Sequence, residues 1–131
     1  MMKRIYLKIA GLINLFTAFL HLIGGQVTLV KPLISSELTK QAVGEWVGAW
    51  HIVSILFFLS TYYLLKLGFQ GFDQTDVKLL QFLALLFILI GVPFIIASFW
   101  FFVFAPQWIL LMPIGLLILL ELKKNNQLVT L

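Results

Sequence analysis

The chain has 131 residues, of which 62% are hydrophobic and only 11% charged, with a mean hydropathy of +1.08. No soluble domain of this size can hide so much apolar surface, so lipid must be the solvent for most of it. The absence of cysteine excludes disulfides, thiolate metal sites and a cysteine nucleophile, and the net charge of +4 does not signal nucleic acid, because the basic residues stand at the ends of apolar stretches.

Four such stretches, about residues 5–23, 43–65, 77–104 and 108–122, approach or exceed the ~20 residues needed to cross a bilayer. They are continuous apolar runs without polar alternation, which excludes a transmembrane barrel. The expected architecture is all-α: a four-helix transmembrane bundle forming one integral membrane domain over residues 1–131.

The first stretch follows Lys3 and Arg4 and has the look of a secretory signal. It carries Asn14, Thr17 and His21, however, and no A-x-A-type site follows it, so a retained helix is expected. Gly24-Gly25 is expected to close that helix, as glycine accepts the left-handed backbone just past a helix end. Residues 26–41 then read as the longest polar connection, with a turn at Lys31-Pro32 and a serine-capped lead-in at Ser35-Ser36-Glu37. Within it, residues 27–34 are too short to span and too apolar to float, and should lie in the interface or fold back over the bundle.

Trp46 and Trp50 open the second stretch, and residues 68–76 connect it to the third. Asp73 or Thr75 should cap the third helix, with Asp76 at its positive end. At roughly 27 residues, about 40 Å, this helix should tilt or kink at Gly91-Val92-Pro93. A tight Ala105-Pro106-Gln107 turn makes the third and fourth helices an antiparallel pair. In the fourth, Glu121 reads as an interfacial charge before Lys123-Lys124, and the tail after it should fray.

The basic residues set the orientation. Lys3, Arg4, Lys8, Lys66, Lys78, Lys123 and Lys124 fall on one side and only Lys31 and Lys40 on the other, which predicts both termini in the cytoplasm. All four tryptophans then lie in the outer half, where interfacial anchoring explains most of them. Trp50 fits that account least, being more than a turn past Trp46.

Polar residues inside the spans are the candidates for function. Asn14, Thr17 and His21 make one helical stripe; Gly44, Gly48 and His51 make another, on a small-residue face of the kind where transmembrane helices meet. One reading makes the histidines packing glue, bonded to each other or to Ser98, Gln107 or a carbonyl. A second makes them a ligand-gathering pair in an outer pocket with Trp50, Gln26, Glu45, Gln107 and Trp108 around it. A third places haem or a metal between His21 and His51. Two histidines fall short of a normal zinc or copper set, and Glu45 points about 120° away from His51. No G-x-S-x-G, H-E-x-x-H, Walker or dinucleotide motif occurs, so no reaction is marked.

The segments Phe19-Leu20-His21-Leu22-Ile23-Gly24-Gly25-Gln26, Lys31-Pro32-Leu33, Trp50-His51-Ile52-Val53-Ser54 and Ala105-Pro106-Gln107-Trp108 through Gly115 resemble recurring features of a group of small, uncharacterised bacterial inner-membrane proteins. The resemblance covers nearly the whole chain and implies four helices with both termini inside; it implies no activity or site. The leading expectation is a membrane protein without catalytic activity that binds a small or lipid-like ligand. The alternatives are an accessory subunit docking another membrane protein or its own copy, and a haem- or metal-binding redox protein.

Overall fold

The computed structural model describes residues 4–125; Lys3 and the tail after Asn125 lie outside the described residues. Within them the chain is helical, without strands. Helix α1 runs Ile5–Ile34, α2 Lys40–Gln70, α3 Gln74–Trp100 and α4 Trp108–Lys124. The first three are long and apolar enough to cross a membrane. Helix α4 has 17 residues, about 25 Å at 1.5 Å per residue, which is the lower limit for a span.

The first helix does not stop at the glycines. Regular α-helix over Ile5–Phe19 opens into two wide π-helical stretches, Leu20–Gly24 and Gln26–Val30, then tightens again over Lys31–Ile34. Gly25 is right-handed at φ −66°, so it serves close packing rather than termination. The expected 26–41 connection therefore shrinks to Ser35–Thr39, and α2 starts where the Thr39 side chain accepts from the Ala42 amide at 3.2 Å. Asp73 caps α3 as its position suggests, in a reciprocal box with Asp76: Asp73 accepts from the Thr75 and Asp76 amides while Asp76 accepts from the Asp73 amide.

At the far end of α3 the helix ends at Trp100, short of the expected 104, and residues 101–107 form the connection. Ser98 holds it: its carbonyl accepts from the Val103 amide at 3.2 Å and its hydroxyl from the Ala105 amide at 3.1 Å. Ser98 is thus occupied by its own loop and not by a histidine.

Helix α1 lies between α2 and α4, and α3 packs along α4. The ring is closed where Phe57 of α2 stacks on Phe87 of α3 at 6.2 Å between centroids. Arg4, Gly71 and Glu121 meet at one end of the bundle, here called proximal; Ser35–Thr39 and 101–107 lie at the distal end. Glycines set the tightest contacts in the core. A Cβ at Gly115 would stand 2.5 Å from the Ala84 carbonyl oxygen, and one at Gly11 would stand 2.6 Å from Leu65.

The core is confined to one part of the bundle. Buried residues cluster at Leu7–Ala18, Ser54–Gly68, Val77–Gly91 and Leu111–Leu122, with only Gly25 and Val30 buried in distal α1. Nothing in α2 before Ser54 is buried, nor anything in α3 after Gly91. Trp108, the first residue of α4, is level with Gly91, so the last nine residues of α3, roughly 13 Å, run past the start of α4. The distal half is therefore open.

Candidate ligand-binding site

His21 lies in the first π-helical stretch of α1, where the wider turn and the missing Cβ of Gly25 admit the Trp50 ring. A side chain at Gly25 would collide with that ring, 2.7 Å from its Cη2. π-bulges of this kind recur at functional sites because they re-aim side chains without ending the helix.

The His21 imidazole stacks on the Trp50 indole, 3.8 Å between centroids and 11° from parallel, and meets the edge of Phe57 at 5.3 Å. Its Nε2 lies 3.2 Å from the Trp50 carbonyl oxygen. A carbonyl can only accept, so Nε2 carries the proton and Nδ1 is left as the ring's acceptor. Ser54 donates to the same carbonyl at 3.3 Å. The Trp50 Nε1 donor is buried without an acceptor. An orphaned buried donor costs about 1–3 kcal/mol, so a polar partner at this point would be stabilising.

Below this pair a polar seam continues between α1 and α2. The Asn14 side chain is fully buried and its Nδ2 donates to the Phe57 carbonyl at 3.0 Å and to Ser60 Oγ at 2.9 Å. Its Oδ1 and the Thr61 hydroxyl are buried and unpaired. Thr17 turns back to the Ile13 carbonyl. The seam joins the two helices through about one good interhelical hydrogen-bond site, a modest contribution of ~0.6 kcal/mol per bond in lipid.

The other candidates stand elsewhere. His51 is exposed and makes no hydrogen bond or ring contact among the described residues. One residue is 100° of helix, so with Trp50 turned towards α1 its neighbour points away. The Gly44/Gly48 face expected to meet a helix is open: a Cβ added at either glycine meets nothing within 4 Å. Glu45, on the same exposed stretch, accepts from Gln41 at 3.0 Å. Gln26 is half-buried one position past Gly25. Gln107 precedes α4 and is exposed, its carbonyl accepting from Leu110 and Leu111. Trp108 sits beside Gly91, on the α3/α4 side of the molecule. Of these candidates only His21 and Trp50 are brought into contact; among the described residues no hydrogen bond or ring contact joins Gln26, His51, Glu45, Gln107 or Trp108 to the pair. Among the described residues no three His, Asp or Glu side chains converge as a metal set.

Glu121 differs most from expectation. Its side chain is fully buried, and Oε2 accepts from the Tyr6 amide at 2.9 Å while Oε1 accepts from Asn125 at 2.9 Å. It caps the positive N-terminus of α1 from the last turn of α4. The spacing Ile114, Ile118, Glu121 carries the signal, because it places the glutamate on the core stripe of its helix. Arg4 answers it on the next helix: its guanidinium packs over Gly71, the positive-φ residue ending α2, where a cation suits the dipole.

No protein family, curated protein or solved structure matches the chain.

Proposed function

We propose that the protein is a four-span inner-membrane protein, grouped with the small bacterial membrane proteins it resembles, whose outer-leaflet half binds a small amphipathic ligand at His21 and Trp50. The carrying observation is the stacked His21–Trp50 pair, with its orphaned indole N–H, set in π-widened helix in the half of the bundle that lacks a core. A ligand suited to it has an apolar body, which the open distal half shelters, and a head that both accepts and donates hydrogen bonds. The acceptor answers Trp50 Nε1 and the donor answers His21 Nδ1. The seven-to-two division of basic residues supports termini in the cytoplasm and this site in the outer leaflet. The haem or metal reading is weaker, as His21 Nε2 is engaged by a backbone carbonyl and His51 stands on another face.

The test is mass spectrometry of molecules retained by wild type, His21→Gln and Trp50→Phe, with their melting temperatures. A stoichiometric ligand in wild type that both folded variants lose is expected. A wild type that carries none, with variants that merely melt earlier, makes the pair structural. Reporter fusions after Leu131 and at Glu37 should give opposite sides, cytoplasmic for the first; the same side for both ends the four-span reading.

A second reading has its own observation. The unoccupied Gly44/Gly48 face suits close approach by a helix of another membrane protein or of a second copy, as in an accessory subunit. A stoichiometric partner that co-purifies with wild type and is lost in Gly48→Leu would favour it.

A further inference from the structure

At the proximal end of α2, away from His21, Tyr62, Leu65, Lys66, Phe69 and Gln70 line a groove of about 300 Å³. No acidic residue lines it. Lys66 reaches along it over the Tyr62 ring, 5.9 Å from the centroid, and Lys8 of α1 stands 4.5 Å over the ring of Phe69. Among the described residues neither ammonium has a carboxylate partner. Two cations held over aromatic faces at the edge of an apolar helix, both unpaired, call for an anion at that place.

The face leading to the groove indicates what carries the anion. Ile55, Leu59, Tyr62, Lys66 and Phe69 recur at spacings of four and three, so they form one stripe, and all of them are exposed. From Ile55 the stripe runs apolar at Ile55 and Leu59, aromatic at Tyr62 and basic at Lys66, with Phe69 one turn beyond the lysine and carrying Lys8 over its ring. That is the order of a phospholipid's own chemistry, from acyl chain through glycerol ester to phosphate. A soluble anion would use only the last part of it.

We propose that this groove seats one anionic phospholipid, with its phosphate between Lys66 and Lys8 and an acyl chain along Ile55 and Leu59. The site rests on the membrane reading but not on the His21 ligand, and either can fail while the other stands. A basic residue at a membrane surface contributes enough that removing one lowers affinity for an anionic lipid by roughly fivefold.

The test is native mass spectrometry and thermal melting in neutral detergent, with added phosphatidylglycerol or phosphatidylcholine of identical chains. Wild type should retain phosphatidylglycerol in preference and melt higher with it. Lys66→Gln should lose that preference about fivefold, Lys66→Arg should keep it, and Lys78→Gln, a cation on another helix, should not change it. Lys8→Gln should lower it as Lys66→Gln does. Equal retention of the two lipids by wild type overturns the proposal, as does a preference that survives both Lys66→Gln and Lys8→Gln. Inorganic phosphate that raises the melting temperature as far as phosphatidylglycerol does would make this an anion site, and the lipid would be wrong.

Discussion

A single carbon added to Gly115 would stand 2.5 Å from the Ala84 carbonyl oxygen, whereas one added to Gly44 or Gly48 meets nothing within 4 Å. The same residue type, in helices of similar apolar character, thus marks the tightest contact of the core and the emptiest face of the distal half. The core carries Leu7, Leu64, Leu80, Ile114, Ile118 and Leu122 at full burial. The distal half has no layer of this kind: among its described residues only Gly25 and Val30 are buried, and Trp50 packs against Gly25 and His21. Close packing is thus concentrated in the core, while the distal half is open.

Substitution at the two kinds of glycine should separate the halves most sharply. Gly115→Leu should cost about 3 kcal/mol or prevent folding, because the Ala84 backbone cannot give way as a side-chain end can. Gly48→Leu should stay within about 0.5 kcal/mol, since it enters open space. Thermal unfolding of both in one detergent checks this. Equal damage from the two would mean that the distal face is also a packed interface.

Glu121 tests whether the proximal end is held by electrostatics as well as by packing. Glu121→Ala should lower stability by about 2 kcal/mol, as the Tyr6 amide and the Asn125 side chain lose their buried acceptor. Glu121→Gln, which keeps a carbonyl oxygen, should cost less. If Glu121→Ala melts with wild type, the carboxylate is not the cap of α1.

The smallest effect belongs to Asp73, at the exposed proximal turn. The Thr75 hydroxyl, and then the Asp76 and Thr75 amides, hold its carboxyl below the ordinary aspartate value of 3.8. A depressed value in the folded state means that the cap contributes fully above that ordinary value and is lost as pH falls through the lower folded one. Wild type should therefore lose stability below about pH 4 relative to Asp73→Asn. Parallel melting curves between pH 5 and pH 2 would show that the cap does not respond to pH.

Much of the architecture was legible locally. Apolar runs of span length mark the helices, Asp73 before Thr75 and Asp76 marks a cap, and the short link around Pro106 pairs α3 with α4, because each depends on residues close in the chain. Glu121 was legible in part, through its spacing from Ile114 and Ile118. Gly24-Gly25 misled, since a helix stop and a close approach both require glycine, and only the neighbouring Trp50 ring distinguishes them.

What the chain alone left open was the rotation of each helix. In water, a polar face tells a helix which side to expose; in a lipid-soluble bundle core and surroundings are both apolar, so the pattern along α2 or α3 names no inward face. Small residues suggested the Gly44, Gly48 and His51 face of α2, while packing chose Trp50, Ser54 and Phe57, about 100° away. That rotation stacked Trp50 rather than His51 on His21 and left His51 exposed. It was decided by the fit of a large ring against Gly25, a contact between residues 25 positions apart that no local pattern records.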